Sequence, residues 1–141
     1  MKRLIFTAIL LQMMTLSFCQ KKGDNSIVID TSISVTHLKM VLFKNGYTIG
    51  NSDTIFISTE PKQVNGATMV KLDIARVDNT IILKGRTKML VEILPGVKQD
   101  YMEIFWVKPN FVNKGSLMDD SWKELEKISK LIGSKRVYQK Q

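Results

Sequence analysis

Cysteine and histidine are almost absent from this chain of 141 residues, since each occurs only once, as Cys19 and His37. One cysteine cannot form an internal disulfide, and it excludes a zinc or iron–sulfur site built from several cysteines. One histidine excludes a metal site with several histidine ligands. A catalytic histidine needs a nucleophile beside it, and the sequence has no Gly-x-Ser-x-Gly elbow to supply one. The sequence therefore predicts a non-enzymatic protein that uses no metal and no other cofactor.

Proline and glycine are also scarce, with three and eight residues. Gly46, Gly50 and Gly66 have the spacing of turns, which excludes a glycine-rich phosphate loop. Hydrophobic residues make up 44% of the chain and charged residues 24%, close to the globular average, which excludes disorder and collagen-like structure. The length fits one domain, which we place at residues 27–141.

Residues 1–19 have the pattern of a secretory signal peptide. Lys2 and Arg3 precede an uncharged, mostly apolar segment over residues 4–18, and Lys21 and Lys22 follow soon after it. The apolar run is shorter than the roughly 20 residues that a transmembrane helix needs. The sequence predicts export to the periplasm or the outer membrane, or secretion, with residues 20–26 as a flexible tether.

The end of this segment resembles a bacterial lipobox, in which a cysteine becomes the lipidated first residue of the mature protein. Leu16 and Ser17 fit the motif before Cys19, whereas Phe18 stands where the motif has a small residue. The alternative is ordinary signal cleavage after Cys19, because Ser17 and Cys19 are small. Cys19 is thus either a lipid anchor to the membrane or a discarded residue. In both cases the mature chain has no free thiol, as suits an oxidising compartment.

Acidic residues are in the minority, with 13 Asp and Glu against 21 Lys and Arg. Removal of residues 1–18 takes away Lys2 and Arg3 and no acid, so the mature chain keeps 19 basic residues and a charge of +6. The lysines are spread along the chain, so the sequence predicts no nucleic-acid partner. Such a surface is typical of a solvated protein, with weak attraction to anionic lipid as the alternative.

The middle of the chain predicts one helix and several short strands. A helix over residues 35–45 follows from apolar residues at helical spacing, with Ser34 as the N-cap and Asn45–Gly46 at the end. Strands are expected at residues 26–33, 47–49, 54–59, from 69 onward with Val70, Leu72 and Ile74 on one face, and at 81–88. Turns are expected at residues 51–53, 64–67 and 78–79, and these short connections favour an antiparallel meander.

The C-terminal region predicts an amphipathic helix. Its apolar stripe consists of Trp122, Leu125, Ile128, Leu131 and Ile132, with lysines and glutamates on the other side. Ser121 has capping-box spacing to Glu124, Asp119 and Asp120 favour the positive helix end, and Gly133 ends the helix. A short final strand is expected at Val137–Tyr138.

The expected order is β-α-β-β-β-β-α, an α+β fold with an antiparallel sheet and two helices packed on one face. The run HLKMVLFKNGYTIGNSDTIFISTE, closed by DDSWKELEKISKLIG, resembles small uncharacterised exported lipoproteins of Gram-negative bacteria. It is also similar to the helix-grip domains of the lipoprotein subunit of the outer-membrane β-barrel assembly machinery. The resemblance covers residues 27–88 and the last helix, and implies a helix-grip or TBP-like domain. It carries no catalytic residue over to this chain.

Aromatic residues supply the candidate binding site. Tyr101, Phe105 and Trp106 lie in the apolar segment YMEIFWV, and Trp122 heads the last helix. This segment predicts a strand that fills the core. The functional alternative is a groove against the last helix, with Arg86 and Lys88 as a positive rim. Two hypotheses follow: a module that binds a cell-envelope protein partner through an exposed strand, and a carrier of a small apolar ligand between sheet and helix.

The remaining polar residues fit structural roles. His37 is expected at the surface of the first helix. Asp119 and Asp120 lack the loop pattern of a calcium site, so we interpret them as helix-capping acids.

Overall fold

The computed structural model describes residues 24–89, 92–94, 97–98, 102–104 and 117–139. The signal segment with Cys19, and the aromatic candidates Tyr101, Phe105 and Trp106, lie outside the described residues. Ser26, the last residue of the predicted tether, already belongs to the first strand, and its hydroxyl donates to the Gln139 carbonyl (3.1 Å).

Two helices and ten strands make up the described chain. The helices are α1 (Val35–Lys44) and α2 (Leu117–Ile132). The strands are β1 Ser26–Asp30, β2 Ile49–Ser52, β3 Phe56–Thr59, β4 Lys62–Gln63, β5 Thr68–Val77, β6 Thr80–Met89, β7 Glu92–Leu94, β8 Val97–Lys98, β9 Met102–Ile104 and β10 Lys135–Gln139.

Eight of these strands form one antiparallel sheet with the order β10-β1-β6-β5-β3-β2, in which β4 also pairs with β5 and β9 with β6. Strands β7 and β8 pair separately. The predicted α+β class, an antiparallel sheet with two helices on one face, is confirmed. The strand expected within residues 101–107 is present as β9, which pairs with the end of β6.

Helix α1 begins and ends where local chemistry predicts. The Ser34 hydroxyl accepts a hydrogen bond from the His37 N–H (3.2 Å). At the other end Gly46 has φ +78°, a left-handed conformation that glycine adopts without strain. His37 is exposed, as expected.

The segment after α1 differs from the prediction. Tyr47 is not in a strand: its N–H bonds to the Leu42 carbonyl (3.0 Å) and its side chain is buried in the core. Strand β2 therefore begins two residues later, at Ile49. The turn shifts with it, because the Asp53 carboxylate accepts from the N–H groups of Ile55 (2.8 Å) and Phe56 (2.6 Å).

Strands β5 and β6 form the long central hairpin, which turns at Asp78 (φ 52°). The predicted alternation holds, since Val70, Leu72 and Ile74 are buried. The helix-facing side of the sheet, α1 and α2 share one apolar core: Ile27, Ile29, Leu38, Leu42, Tyr47, Ile57, Val70, Leu72, Ile74, Ile81, Leu83, Trp122, Leu125, Ile128 and Ile132.

Helix α2 is longer than predicted, and two of its assignments were wrong. Leu131 is 50% exposed, because the stripe that faces the sheet runs through Ile128 and Ile132. Ser121 is no cap, since the helix starts at Leu117 and Ser121 is buried within it. Asp119 and Asp120 do lie in the first turn, where their negative charge interacts favourably with the positive end of the helix dipole.

Candidate functional site

Strand β10 forms one edge of the sheet and carries the candidate site. Gly133 ends α2, and the chain then turns so that residues 135–139 run antiparallel to β1, from Lys135 opposite Asp30 to Gln139 opposite Ser26. Among the described strands β10 pairs with β1 alone, so its other side faces no described partner. Such an edge presents backbone groups that a further strand can bind.

A cavity of about 340 Å³ lies along this edge and is lined by Ser134, Lys135, Arg136 and Tyr138. Ser134 and Lys135 are exposed, whereas Arg136 and Tyr138 are half-buried. Since side chains alternate along a strand, Arg136 and Tyr138 share the helix-facing side, where they stand opposite the core residues Ile29 and Ile27. The cavity therefore has the exposed polar residues Ser134 and Lys135 on its outer side, and it reaches inward to residues that lie next to the apolar core.

The Arg136 guanidinium is the unusual group in this cavity. Its Nε and Nη1 atoms are buried and have no hydrogen-bond partner. By contrast, Arg86 Nε lies 2.7 Å from Asp73 Oδ2, and Arg76 Nε donates to the Asp78 carbonyl (3.3 Å). A charged donor removed from water without an acceptor is unfavourable, so this environment suits a group that binds an anion.

An aromatic pair lies beneath the same edge. The rings of Trp122 and Tyr138 are 6.0 Å apart at 47°, a tilted contact that stabilises such pairs. The Tyr138 hydroxyl donates to Glu126 Oε1 (3.2 Å); burial, and next the Glu126 charge, raise the pKa of this hydroxyl. The Trp122 Nε1 donor is buried without a partner. Of the predicted binding residues, Trp122 alone lies within the described chain. It packs against Tyr138 on the helix-facing side of β10.

Sequence reasoning missed Arg136, because nothing in its neighbours along the chain marks it. The predicted positive rim is also not assembled as expected: Arg86 is occupied by Asp73, which in turn accepts from the Ser58 hydroxyl (2.7 Å). These residues lie on the sheet face opposite the helices. Lys88 shares that face by alternation with Arg86.

A second polar cluster surrounds Glu124 of α2. Lys62 Nζ lies 2.7 Å from Glu124 Oε1 and 4.8 Å from the centre of the Tyr47 ring, and the Tyr47 hydroxyl donates to the same carboxylate (3.3 Å). Burial, and then the Glu124 charge, raise the pKa of Tyr47 far above its ordinary value. Burial raises the pKa of Glu124, but the hydrogen bond and charge of Lys62, the Lys127 charge and the Tyr47 hydrogen bond together outweigh it and lower that pKa. Because these side chains bond to one another, the cluster links β4 and the segment after α1 to helix α2.

The helix-free face of the sheet carries an apolar row that ends at β10. The register aligns Phe56, Ala75, Ile82, Val28 and Val137 across five neighbouring strands. Phe56 is exposed and the other four are half-buried.

The described residues contain no group of three or more side chains suited to hold a metal ion. Asp119 pairs instead with Lys123 (2.6 Å) along the helix. Within the same ranges, no helix is long and apolar enough to cross a membrane.

Comparison with known proteins returned no matching family model, no matching curated protein and no matching solved structure.

Proposed function

We propose that the mature chain is a non-enzymatic cell-envelope protein, lipid-anchored through Cys19 or secreted, that binds a protein partner along β10. The observation that carries the proposal is the unpaired side of β10 within the described sheet. An extended segment of a partner adds to such an edge through main-chain hydrogen bonds, while neighbouring pockets select its side chains.

Two further features support this edge as the binding surface. The cavity at Arg136 and Tyr138 opens beside it, so a side chain of the partner has a place to enter. The apolar row of the helix-free face ends at Val137, in the same strand. Backbone pairing, a pocket and an apolar margin are therefore adjacent.

The packing of α2 favours this function over the carriage of an apolar ligand between sheet and helix. Helix α2 lies directly on β6: a Cβ added to Gly85 would come within 2.4 Å of Leu125 Cδ1. Leu125 and Ile128 are fully buried in the shared core. The space that a carrier needs is filled by side chains at this position.

In-cell photocrosslinking tests the proposed interface. A photoreactive residue replaces Lys135 or Gln139, two exposed positions at the ends of β10, and Asn51 in β2 serves as the control at the opposite edge of the sheet. We expect the same partner to be captured from positions 135 and 139, which a paired strand spans over about 13 Å, and not from position 51. Equal capture from Asn51, or capture from neither end of β10, overturns the proposal.

Labelling with radioactive palmitate tests the anchor separately. We expect the wild-type protein to take up label and to fractionate with membranes, and the Cys19→Ala variant to lose both properties. Equal labelling of the two proteins, or none in either, shows that the chain is not lipidated at Cys19. Detection of the uncleaved chain in the cytosol contradicts export itself.

A further inference from the structure

The cavity at β10 has the composition of a site for one anionic group. Each of the four described residues that line it brings a hydrogen-bond donor: the Ser134 hydroxyl, the Lys135 ammonium, the Arg136 guanidinium and the Tyr138 hydroxyl, of which the last already donates to Glu126. A volume of about 340 Å³ accommodates a side chain or a small molecule. Because Lys135 and Arg136 are adjacent in the strand, they approach the cavity from opposite sides of the sheet plane.

Two of the three nitrogens of the guanidinium at this position lack an acceptor. Of the arginines in the described chain, Arg76 and Arg86 donate from Nε to an oxygen, whereas Arg136 donates from neither Nε nor Nη1. Both of these nitrogens are out of contact with solvent. After a rotation of the terminal side-chain torsions, an incoming anion supplies the acceptor that Nε lacks and bonds to Nη2 on the same edge of the guanidinium.

The described acidic side chains near the cavity do not act as the acceptors that Nε and Nη1 of Arg136 lack. Glu126 Oε1 accepts from the Tyr138 hydroxyl at 3.2 Å, and neither buried nitrogen of Arg136 donates to it. Asp30 Oδ2 lies 3.9 Å from Lys135 Nζ, and both side chains of that pair are largely exposed, at 65% and 78%. A pair so solvated is weak, so Lys135 remains able to turn toward an anion in the cavity.

We infer that this cavity binds a carboxylate group, with Arg136 as the principal donor and Ser134 and Lys135 beside it. A carboxylate is planar and accepts two parallel hydrogen bonds from one edge of a guanidinium, the edge formed by Nε and Nη2, as Asp73 does from Arg86. A spherical anion does not match this geometry. The inference rests on the proposed function: the segment that pairs with β10 carries an acidic side chain at the position that enters the cavity. The partner segment therefore has an aspartate or a glutamate opposite the cavity.

The test is a titration of the purified mature protein, followed through the NMR signal of the Arg136 Nε–H group. The probes are N-acetylglutamate methylamide, its uncharged counterpart N-acetylglutamine methylamide, and inorganic phosphate. We expect a saturable shift with the glutamate probe, with a dissociation constant in the millimolar range, and none with the glutamine probe. Phosphate should bind more weakly than the glutamate probe.

Variants assign the effect to Arg136. Binding of the glutamate probe, followed through backbone amide signals of β10, should weaken by about tenfold or more in Arg136→Gln. The matched control is Arg76→Gln, which removes the same charge from the same row of the sheet but three strands, or about 14 Å, away. Equal binding of the two probes, retained binding in Arg136→Gln, tighter binding of phosphate, or no saturation by about 50 mM probe overturns the inference.

Crosslinking separates this inference from the proposed function. If position 139, which does not line the cavity, captures the same partner equally well in the wild-type and Arg136→Gln backgrounds, the carboxylate site is wrong while the β10 interface stands. If the glutamate probe binds but β10 captures no partner, the interface is wrong while the carboxylate site stands. A repeat with Glu126→Gln checks for an internal competitor, and we expect binding of the glutamate probe to be unchanged or tighter.

Discussion

Two nitrogens of the Arg136 guanidinium, Nε and Nη1, are buried in the folded chain without a hydrogen-bond partner. Its two buried, unpartnered nitrogens lower the stability of the folded state, because water hydrates the same group in the unfolded chain. Residues kept for binding often have this property, since a site prepared for a ligand is strained without it.

Replacement of Arg136 by methionine should therefore raise the free energy of unfolding, by about 1 kcal/mol. Methionine keeps the length of the side chain and removes the unsatisfied donors. Arg86→Met is the matched comparison, and it should lower the free energy of unfolding by about 1–3 kcal/mol because it leaves the buried Asp73 without its ion pair. Urea denaturation measures both. A loss of stability in Arg136→Met as large as that in Arg86→Met would show that Arg136 is a structural residue.

Glu124 makes the free energy of unfolding depend on pH in the acid range. Its pKa is lowered in the folded protein, so its contribution is present above its unfolded pKa, near 4.5, and is lost as the pH falls through the folded pKa. Glu124→Gln should reduce the free energy of unfolding at pH 7 by about 1–3 kcal/mol. It should also make the loss of stability between pH 5 and pH 3 shallower than in the wild type, at about these pH values.

Urea titrations across this pH range measure that difference. Lys62→Met is the companion variant, because it removes the main cause of the lowered pKa while Glu124 remains. It should flatten the acid dependence in the same direction. Parallel pH curves for all three proteins would contradict a role for the Glu124 cluster.

At the scale of elements, the close packing of α2 against β6 depends on the absence of a side chain at Gly85. An alanine there would place its Cβ 2.4 Å from Cδ1 and 3.1 Å from Cδ2 of Leu125, which is fully buried. Gly85→Ala should lower the free energy of unfolding by about 1–3 kcal/mol through overpacking. Gly66→Ala is the control, since no atom lies within 4 Å of its added Cβ.

A second substitution tests the assigned contact. Leu125→Val shortens the side chain that Gly85→Ala would strike, so the double variant should lose less than the sum of the two single variants. Additive losses in urea denaturation would mean that the added methyl group is accommodated elsewhere.

Elements with local signals were predictable from the sequence. The Ser34 cap, the glycine after Asn45 and the buried alternation in β5 each depend on residues close in the chain, and each was confirmed. The error at Leu131 arose because helical spacing alone allows a wider stripe than the sheet covers. The site was less accessible to prediction. Arg136 and the Tyr47–Glu124 contact depend on elements brought together only by the fold.

At the scale of the molecule, the described chain closes on itself, because the strand that begins at Ser26 pairs with the strand that ends at Gln139. The first and last described strands therefore lie side by side, and β1 gains its second neighbour only when β10 docks. Contacts so distant in sequence carry a large entropic cost of loop closure, which slows folding.

Removal of residues 134–141 tests how much of the molecule depends on this closure. The truncation deletes β10, exposes the edge of β1 and removes the ring contact between Tyr138 and Trp122. We expect the free energy of unfolding to fall by at least about 2 kcal/mol, and the uncovered edge of β1 to promote self-association. Lys135→Ala, at a side chain that is 78% exposed, should change stability by less than about 0.5 kcal/mol. Urea denaturation and sedimentation velocity measure the two effects. A truncated protein that stays monomeric and equally stable would mean that β10 is a detachable strand, in which case a partner strand could displace it from β1 instead of adding to its open side.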